Sequence, residues 1–295
     1  MPAERYGSDS RAQQATPLRN DGVSHMRVNG SKARGAVFSA LMALLLSSLG
    51  LASEPARDEK QEELQKQTRL RMVETQIRRR GVKNKTVLAA MRNVPRHEFV
   101  PQKLRALSYE DRPLPIGHGQ TISQPYIVAY MSELLTPKKE HKVLEVGTGS
   151  GYQAAVLGEI VSKVYTIEVI EELGKSAKAR LANLEYKNIE VKIADGYHGW
   201  KEHAPFDSII VTCAADHVPP PLVQQLKPGG KMCIPVGPVF YEQQLVLVTK
   251  RKDGSVRSKS VLPVRFVPFV RPGQDTPTTR PPRPARRTRV KPTPE

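Results

Sequence analysis

The stretch VLEVGTGSGYQ (residues 143–153) decides the fold, because it reads as a short apolar strand that ends in a glycine-rich loop and opens a helix. Glycine lets the backbone turn tightly and approach a ligand closely, and open α/β sheets bind ligands at the carboxyl ends of their strands. A dinucleotide-binding loop would carry its third glycine where Tyr152 stands, and a Walker phosphate loop would need a lysine that this loop lacks. The stretch therefore predicts a cofactor-binding loop. It argues against an NAD-binding loop and excludes the phosphate loop of an ATPase.

Short runs rich in Val and Ile alternate with helix-like segments after this loop. The predicted strands are residues 142–147, 163–170, 189–194, 206–212 and 231–236, and the predicted helices between them are residues 152–161, 171–185 and 219–227. This alternation predicts a parallel sheet covered by helices on both faces. Residues 244–250 and 261–270 follow with only a short turn at 252–255, so we expect an antiparallel hairpin at the sheet edge. The fold class is therefore α/β, a doubly wound and mostly parallel sheet with a C-terminal hairpin, the order seen in class I S-adenosylmethionine-dependent methyltransferases.

Acidic side chains end the next two predicted strands. Glu168 lies 21 residues beyond Gly147, where a carboxylate can accept hydrogen bonds from both hydroxyls of a ribose. Asp195 ends the third strand, where a carboxylate can receive an adenine amino group. Each acid alone also fits a solvated turn, but their order along the chain predicts an S-adenosylmethionine site. The predicted cofactor residues are Glu145, Gly147, Thr148, Gly149, Gly151, Glu168, Asp195 and Gly196.

The two ends of the chain differ in composition from its middle. Residues 1–60 are predicted to be a poorly ordered leader, residues 61–270 the folded domain with an N-terminal helical cap, and residues 271–295 a disordered tail rich in Pro and Arg. An uncharged stretch in the leader is short for a membrane-spanning helix and fits a signal peptide better, starting at Met26 and cleaved after Ala52. Helices are expected at residues 62–80 and 85–92, followed by loops from 94 to 120.

The chain is strongly basic. Its 295 residues carry 46 Lys and Arg against 29 Asp and Glu, a formal charge of +17, and residues 66–96 hold ten of these cations with a single acid, Glu74. Such a balance favours contact with anions but does not choose among nucleic acid, a membrane surface and acidic peptides. Cys213 and Cys233 lack the spacing of a metal or disulfide site and are expected to be buried, so no metal site is predicted.

Residues 64–270 resemble the protein-L-isoaspartate O-methyltransferases. The segment GQTISQPY is the specific part, because glycine loops like the one above are common to the whole superfamily. The family usually has Gly-Asp-Gly where this chain has Ala194 before Asp195. Besides the glycine loop, the matching stretches are RMVETQI (residues 71–77), VPRHEFVP (94–101), YEDRPLPIGHGQTISQPYIVA (109–129), LKPGGKMCIPVG (226–237) and VRFVPF (264–269).

The resemblance implies methyl transfer from S-adenosylmethionine to the α-carboxyl group of L-isoaspartyl residues in damaged proteins and peptides, which initiates their repair. Ser123 matches the family's active-site position, and we expect it to orient the substrate carboxylate by a hydrogen bond. An alternative is that Ser123 caps the helix predicted to start near Pro125. His118 is a possible general base, although a lone histidine beside glycines is more often a loop residue.

Two other functions remain open from the residues alone. A nucleic-acid methyltransferase would use the basic segments, and its affinity would fall steeply with salt. A non-catalytic binding protein would keep the nucleotide fold, but the intact glycines and strand-end acids argue against a decayed site. We expect a cytoplasmic location because S-adenosylmethionine is made there, with export through the signal peptide as the alternative. Membrane contact is expected only through the N-terminal segment, if at all.

Overall fold

The computed structural model describes residues 54–238 and 241–272, and the described residues from 59 onward belong to one compact unit. The predicted signal peptide and the predicted tail beyond residue 272 lie outside the described residues. Within the described part, no helix is both long and apolar enough to cross a bilayer.

Helices precede the sheet, as predicted. Helix α1 (Glu54–Met72) continues into a π-helical turn (Val73–Ile77) and a short 3₁₀ turn. This helical segment ends at Gly81, whose φ of +101° is left-handed. Helix α2 (Lys85–Asn93) begins at Asn84, whose side-chain oxygen accepts the N–H groups of the second and third helical residues. That oxygen satisfies donors that have no partner within the helix. The structure thus breaks between residues 80 and 85, the gap between the two predicted helices.

The segment expected to be loops contains a small hairpin. Strands β1 (Leu114–Gly117) and β2 (Gln120–Ile122) pair antiparallel, and helix α3 (Pro125–Leu134) follows directly. Strands of four and three residues are too short to show a period-two pattern, so the sequence did not predict them. The hairpin turn places His118 at an exposed tip with a φ of +50°.

The main sheet has seven strands in the order β5-β4-β3-β6-β7-β8-β9. Neighbours among the first five in this order are parallel, while β8 pairs antiparallel with both β7 and β9. The predicted α/β class and the antiparallel hairpin are confirmed. The strands are β3 (Lys142–Val146), β4 (Lys163–Glu168), β5 (Ile189–Ile193), β6 (Phe206–Val211), β7 (Leu226–Val236), β8 (Gln243–Lys250) and β9 (Val256–Val264). The helices between them are α4 (Tyr152–Gly158), α5 (Glu171–Asn183) and α6 (Pro220–Gln224).

Both faces of the sheet are covered, so the central strands read as continuous apolar runs. On β3, Val143 packs into the core that contains Phe99 from the N-terminal region. The next residue, Leu144, faces the opposite core with Trp200 and Phe206. These two aromatic residues are therefore core residues.

The last strand was predicted in the wrong place. We expected a strand at residues 261–270, but β9 is Val256–Val264. The start of β9 was missed because its first five residues are exposed at the sheet edge and are mostly polar. Residues 266–271 then leave the hairpin and run beside the end of β6. There Ala214 N–H donates to the Val267 carbonyl at 2.8 Å, and Phe269 N–H donates to the Ala214 carbonyl at 2.9 Å. We call residues 266–271 the C-terminal strap.

Candidate cofactor and substrate site

The glycine loop is held tightly between the ends of β4 and β6. Gly147 has a φ of +96°, and its N–H donates to the Ile167 carbonyl at 2.8 Å. The Thr212 hydroxyl, from beyond β6, donates to the Gly147 carbonyl at 2.6 Å. A Cβ atom at position 147 would lie 2.4 Å from that hydroxyl oxygen. Both the left-handed backbone and the close approach therefore require glycine here.

Glu145 is a fully buried acid beneath the loop. Its Oε2 accepts a hydrogen bond from the Thr166 hydroxyl at 2.6 Å, and that hydroxyl lies 2.7 Å from the hydroxyl of Thr148. Its Oε1 has no hydrogen-bond partner among the described residues. Burial, aided by the nearby charge of Glu168, raises the pKa of Glu145 from 4.5 to about 8. The side chain lines the cavity under the loop, so a buried acceptor is available to a ligand there.

Glu168 ties the loop to the start of α5. Its Oε2 accepts the Gly149 N–H at 2.7 Å, while its Oε1 accepts the N–H groups of Val169 and Ile170, each at 3.0 Å. The carboxylate is nearly buried and lines the same cavity. Since a carboxylate has about four acceptor positions, Glu168 can hold the loop and still accept from a ligand hydroxyl.

The two residues predicted at the end of the third strand, Asp195 and Gly196, have different surroundings. Gly196 lines the cavity, and a Cβ there would lie 2.5 Å from Val146 Cγ1. The Asp195 side chain is not part of the cavity wall: its Oδ1 accepts the Tyr197 N–H at 2.9 Å, and its Oδ2 accepts from Arg271 Nε at 2.9 Å. The Asp195 carboxylate is thus held by Tyr197 and Arg271, and its contact with a cofactor stays a prediction.

Ser123 stands where two cavities meet. The first cavity lies under the glycine loop, and the second opens between the small hairpin, α3 and the C-terminal strap; Ser123 lines both. The N-cap of α3 is Gln124, which makes no side-chain cap bond, so Ser123 does not cap the helix. Its hydroxyl makes no hydrogen bond to any described residue and is available to a substrate. Both cavities share Thr121, Ser123, Thr212, Val267 and Pro268.

The residues that form one wall of the site were not predicted from the sequence. Thr212 and Cys213 follow β6 directly, and Phe269 and Val270 of the strap close the first cavity from the C-terminal side. The position of Thr212 after an apolar strand was a usable signal, because the carboxyl ends of parallel strands meet at one edge of the sheet. The strap could not be placed from the sequence because its residues were assigned to a strand. Thr121, Gln124 and residues 264–267 line the second cavity.

Other candidate groups lie elsewhere or are inert. His118 is exposed and lines neither of the two cavities. His217 and Asp216 form an exposed pair 2.6 Å apart, also away from both cavities. Burial raises the pKa of the Cys213 thiol well above its usual range, so the sulfur stays protonated and is a poor nucleophile. Among the described residues, no group of three or more His, Cys, Asp or Glu side chains could hold a metal ion.

The arrangement fits S-adenosylmethionine, a cation with an adenosine group and an amino-acid end. The buried, unpartnered Oε1 of Glu145 offers an unused hydrogen-bonding position to a ligand beneath the loop. Glu168 offers acceptor capacity at the end of β4, where ribose hydroxyls are held in doubly wound folds. The positions of Gly147 and Gly196 have no room for a side chain, so ligand and backbone can approach closely.

A family model describing protein-L-isoaspartate(D-aspartate) O-methyltransferase matches residues 67–274. Among named relatives, protein-L-isoaspartate O-methyltransferase 2 of Polaromonas sp. is 61% identical over 183 residues, which cover 62% of this chain and 87% of the relative. The protein-L-isoaspartate O-methyltransferase of Opitutus terrae is 51% identical over 234 residues, covering 79% of this chain and 97% of the relative.

Solved structures agree with this match. One protein-L-isoaspartate O-methyltransferase has a TM-score of 0.61 at 29% identity, covering 69% of this chain and 65% of the other. A beta-aspartate methyltransferase from Plasmodium falciparum, in complex with S-adenosyl-L-homocysteine, has a TM-score of 0.59 at 25% identity, covering 68% of this chain and 98% of the other. By its sequence and fold, this chain belongs to the protein-L-isoaspartate(D-aspartate) O-methyltransferase family.

Proposed function

We propose that this chain transfers a methyl group from S-adenosylmethionine to the α-carboxyl group of L-isoaspartyl residues in damaged proteins and peptides, and so starts their repair. The observation that carries the proposal is the position of Ser123, whose free hydroxyl lines both the cavity under the glycine loop and the open second cavity. A cofactor in the first and a peptide in the second would meet at this residue.

The residues of the first cavity have the roles of cofactor binding. S-adenosylmethionine supplies the methyl group from a positively charged sulfonium sulfur. Glu145 provides a buried acceptor beneath the loop, and Glu168 provides acceptor positions for the ribose. Thr148 and the loop glycines line the cavity on the side of the loop, and Gly196 leaves space for the adenosine end of the ligand. Asp195 ends the third strand beside Gly196 and is proposed to accept from the adenine amino group.

The second cavity suits a peptide carboxylate. An isoaspartyl α-carboxyl group is already ionised at neutral pH, so the enzyme needs no strong general base to activate it. The Ser123 hydroxyl donates a hydrogen bond to one carboxylate oxygen and leaves the other free for the methyl group. Holding nucleophile and methyl carbon in line is then the main catalytic contribution, because orientation alone can supply a large part of a rate enhancement.

The site does not favour nucleic-acid methylation. Enzymes that methylate amino groups of nucleic acids carry an Asp/Asn-Pro-Pro-aromatic motif after this strand, but here Asp216 is followed by His217 and no aromatic residue follows the prolines. The Asp216-His217 pair is also exposed and lies away from both cavities. Cys213 is kept as a neutral thiol by burial, so a thiolate attack on a pyrimidine base has no candidate nucleophile in the cavity.

The experiment that tests the proposal is repair itself. An isoaspartyl peptide is incubated with the protein and S-adenosylmethionine, and its conversion to the normal aspartyl peptide is followed by liquid chromatography. We expect the aspartyl form to accumulate through a methyl ester and a succinimide, and Ser123→Ala to slow the methylation step. An unchanged isoaspartyl peptide in the presence of bound cofactor would contradict the proposal.

We also propose that the reaction takes place in the cytoplasm, where S-adenosylmethionine is made. The alternative export signal, from Met26 to Ala52, falls outside the described residues. Mass analysis of the N-terminus of the protein isolated from its native cell distinguishes the two, because export predicts a mature chain that starts at Ser53.

A further inference from the structure

The position of Ser123 is set by its chain neighbours, since its hydroxyl makes no hydrogen bond to a described residue. The residue before it, Ile122, pairs with Leu114 across the small hairpin. The residue after it, Gln124, donates from Nε2 to the Asp111 carbonyl at 3.0 Å. Ser123 therefore takes its position from the stretch of chain that starts at Asp111.

Arg80 joins this stretch to the start of helix α3. It is the last residue of the short 3₁₀ turn (Arg78–Arg80). Its Nη1 lies 2.6 Å from Asp111 Oδ2, and its guanidinium carbon lies 3.6 Å from the centre of the Tyr126 ring. A planar guanidinium can pair with a carboxylate and stack on an aromatic ring at the same time. One side chain of the N-terminal helical region thus contacts both ends of segment 111–126.

Asp111 also interacts with a buried cation. Its Oδ1 is buried and has no hydrogen-bond partner among the described residues, and the same holds for Nη1 and Nη2 of Arg96. Arg96 is fully buried, and its Nε donates to the Ser108 carbonyl at 2.7 Å. Burial lowers the pKa of Arg96 to about 10, and the nearby charge of Asp111 is among those that oppose this shift. Removing the Asp111 carboxylate would leave the buried cation less compensated, so a test of position alone has to change Arg80 and leave Asp111 intact.

We propose that Arg80 is a positioning residue for methyl transfer, which holds Asp111 and Tyr126 so that the Ser123 hydroxyl stays at the junction of the two cavities. The inference rests on the proposed function, since that function assigns Ser123 to orient the substrate carboxylate. Arg80 lines neither cavity, so it acts through these neighbours and not by touching substrate or cofactor. Because orientation of the reacting groups contributes to the rate of the chemical step, loosening this contact lowers kcat and leaves cofactor affinity unchanged.

A neighbouring ion pair provides a matched control. Arg78, two residues earlier, pairs with Glu74 on the same helical segment, and the two side chains are 56% and 39% exposed. The side chains of Arg80 and Asp111 are 43% and 30% exposed, so both pairs lie at the surface and contribute little to the free energy of unfolding. The Arg78–Glu74 pair makes no hydrogen bond or ion pair with segment 111–126. Arg78→Ala therefore removes a similar pair without disturbing the neighbours of Ser123.

The test measures methyl transfer to an isoaspartyl peptide by the full chain at saturating S-adenosylmethionine. The kcat, the peptide KM and the Kd of S-adenosylhomocysteine are determined for the parent, Arg80→Ala, Arg80→Lys and Arg78→Ala. We expect kcat to fall about three- to tenfold in Arg80→Ala, while the Kd stays within about twofold, as fits the loss of one partly exposed charged contact. Arg80→Lys recovers part of the loss, because lysine keeps the charge but not the planar stack on Tyr126. Arg78→Ala should match the parent.

A Ser123→Ala background separates positioning from general stability. If Arg80 works through Ser123, the double variant Arg80→Ala with Ser123→Ala turns over at the rate of Ser123→Ala alone. A full additional loss in the double variant, or equal kcat in the parent and Arg80→Ala, would overturn the inference.

Thermal melting shows whether each variant is folded at the assay temperature. If Arg80→Ala is not, Tyr126→Leu and Tyr126→Phe replace it: the leucine variant should lose turnover and the phenylalanine variant, which keeps the ring, should not. Equal turnover in these two would overturn the inference. A parent that binds S-adenosylhomocysteine but methylates no isoaspartyl peptide would instead contradict the proposed function, so the two failures are distinguishable.

Discussion

Replacing Glu145 by Gln is expected to make the folded protein more stable in alkaline solution. Burial raises the pKa of Glu145 from 4.5 to about 8, so the folded chain keeps a proton that the unfolded chain releases above pH 4.5. The unfolded state therefore binds fewer protons between these two values, and the free energy of unfolding falls as the pH rises through this window. Above pH 8 both states are ionised and the decline stops.

The size of the effect follows from the shift. At 1.36 kcal/mol per pKa unit, a change from 4.5 to about 8 amounts to ~5 kcal/mol over the whole window. This is a large share of the 5–15 kcal/mol that holds a typical domain folded. Gln keeps the shape of the side chain and its oxygen still accepts from the Thr166 hydroxyl, but it does not titrate.

The assay is urea unfolding of the parent and Glu145→Gln at pH 5, 7 and 9. Other groups titrate equally in both proteins, so the difference between them isolates Glu145. We expect the variant to gain several kcal/mol relative to the parent between pH 5 and 9. Thr166→Val removes a hydrogen bond that favours the charged form, so it should raise the pKa of folded Glu145 further and extend the upper end of the window to higher pH. Free energies that run parallel for parent and Glu145→Gln across this range would refute the reasoning.

Three further predictions concern the loop, the junction of the cavities and the Cys213 thiol. Gly147→Ala is expected to abolish S-adenosylhomocysteine binding in calorimetry, because its Cβ meets the Thr212 hydroxyl; Gly229→Ala, also left-handed but with open space, should bind normally and lose only ~1 kcal/mol in urea unfolding. Ser123→Ala should lower kcat about 10- to 100-fold in steady-state kinetics while cofactor Kd stays within about twofold, as expected for one bond to a charged group; equal turnover would contradict this role. Cys213 should resist iodoacetamide at pH 8 in the folded protein and react after unfolding, and rapid modification of the folded chain would contradict its raised pKa.

Much of the fold could be predicted because its signals are local. The strand that carries Glu145 is buried on both faces and reads as an apolar run, and the glycine loop after it needs a residue without a side chain at Gly147. These requirements are visible in a single stretch of chain. The two short strands before Ser123 gave no such signal, since three or four residues cannot show a strand pattern.

The ion pair of Asp195 could not be predicted, because its partner lies far along the chain. The position of Asp195 at a strand end predicts contact with the cofactor, and its Oδ2 also accepts a hydrogen bond from Arg271, 76 residues away. A long-range ion pair leaves no trace in local spacing. The strap was missed for a related reason: residues 266–270 are apolar like a strand, but they follow the end of β6 and do not extend the hairpin.

The central claim is that methyl groups go to the carboxylate of isoaspartate. The most direct measurement is transfer from labelled S-adenosylmethionine to two peptides that differ only in L-isoaspartate or normal aspartate, with RNA and DNA as further acceptors. We expect label on the isoaspartyl peptide alone, released by mild base as expected of an ester. Base-stable label on nucleic acid, or equal label on both peptides, would contradict it.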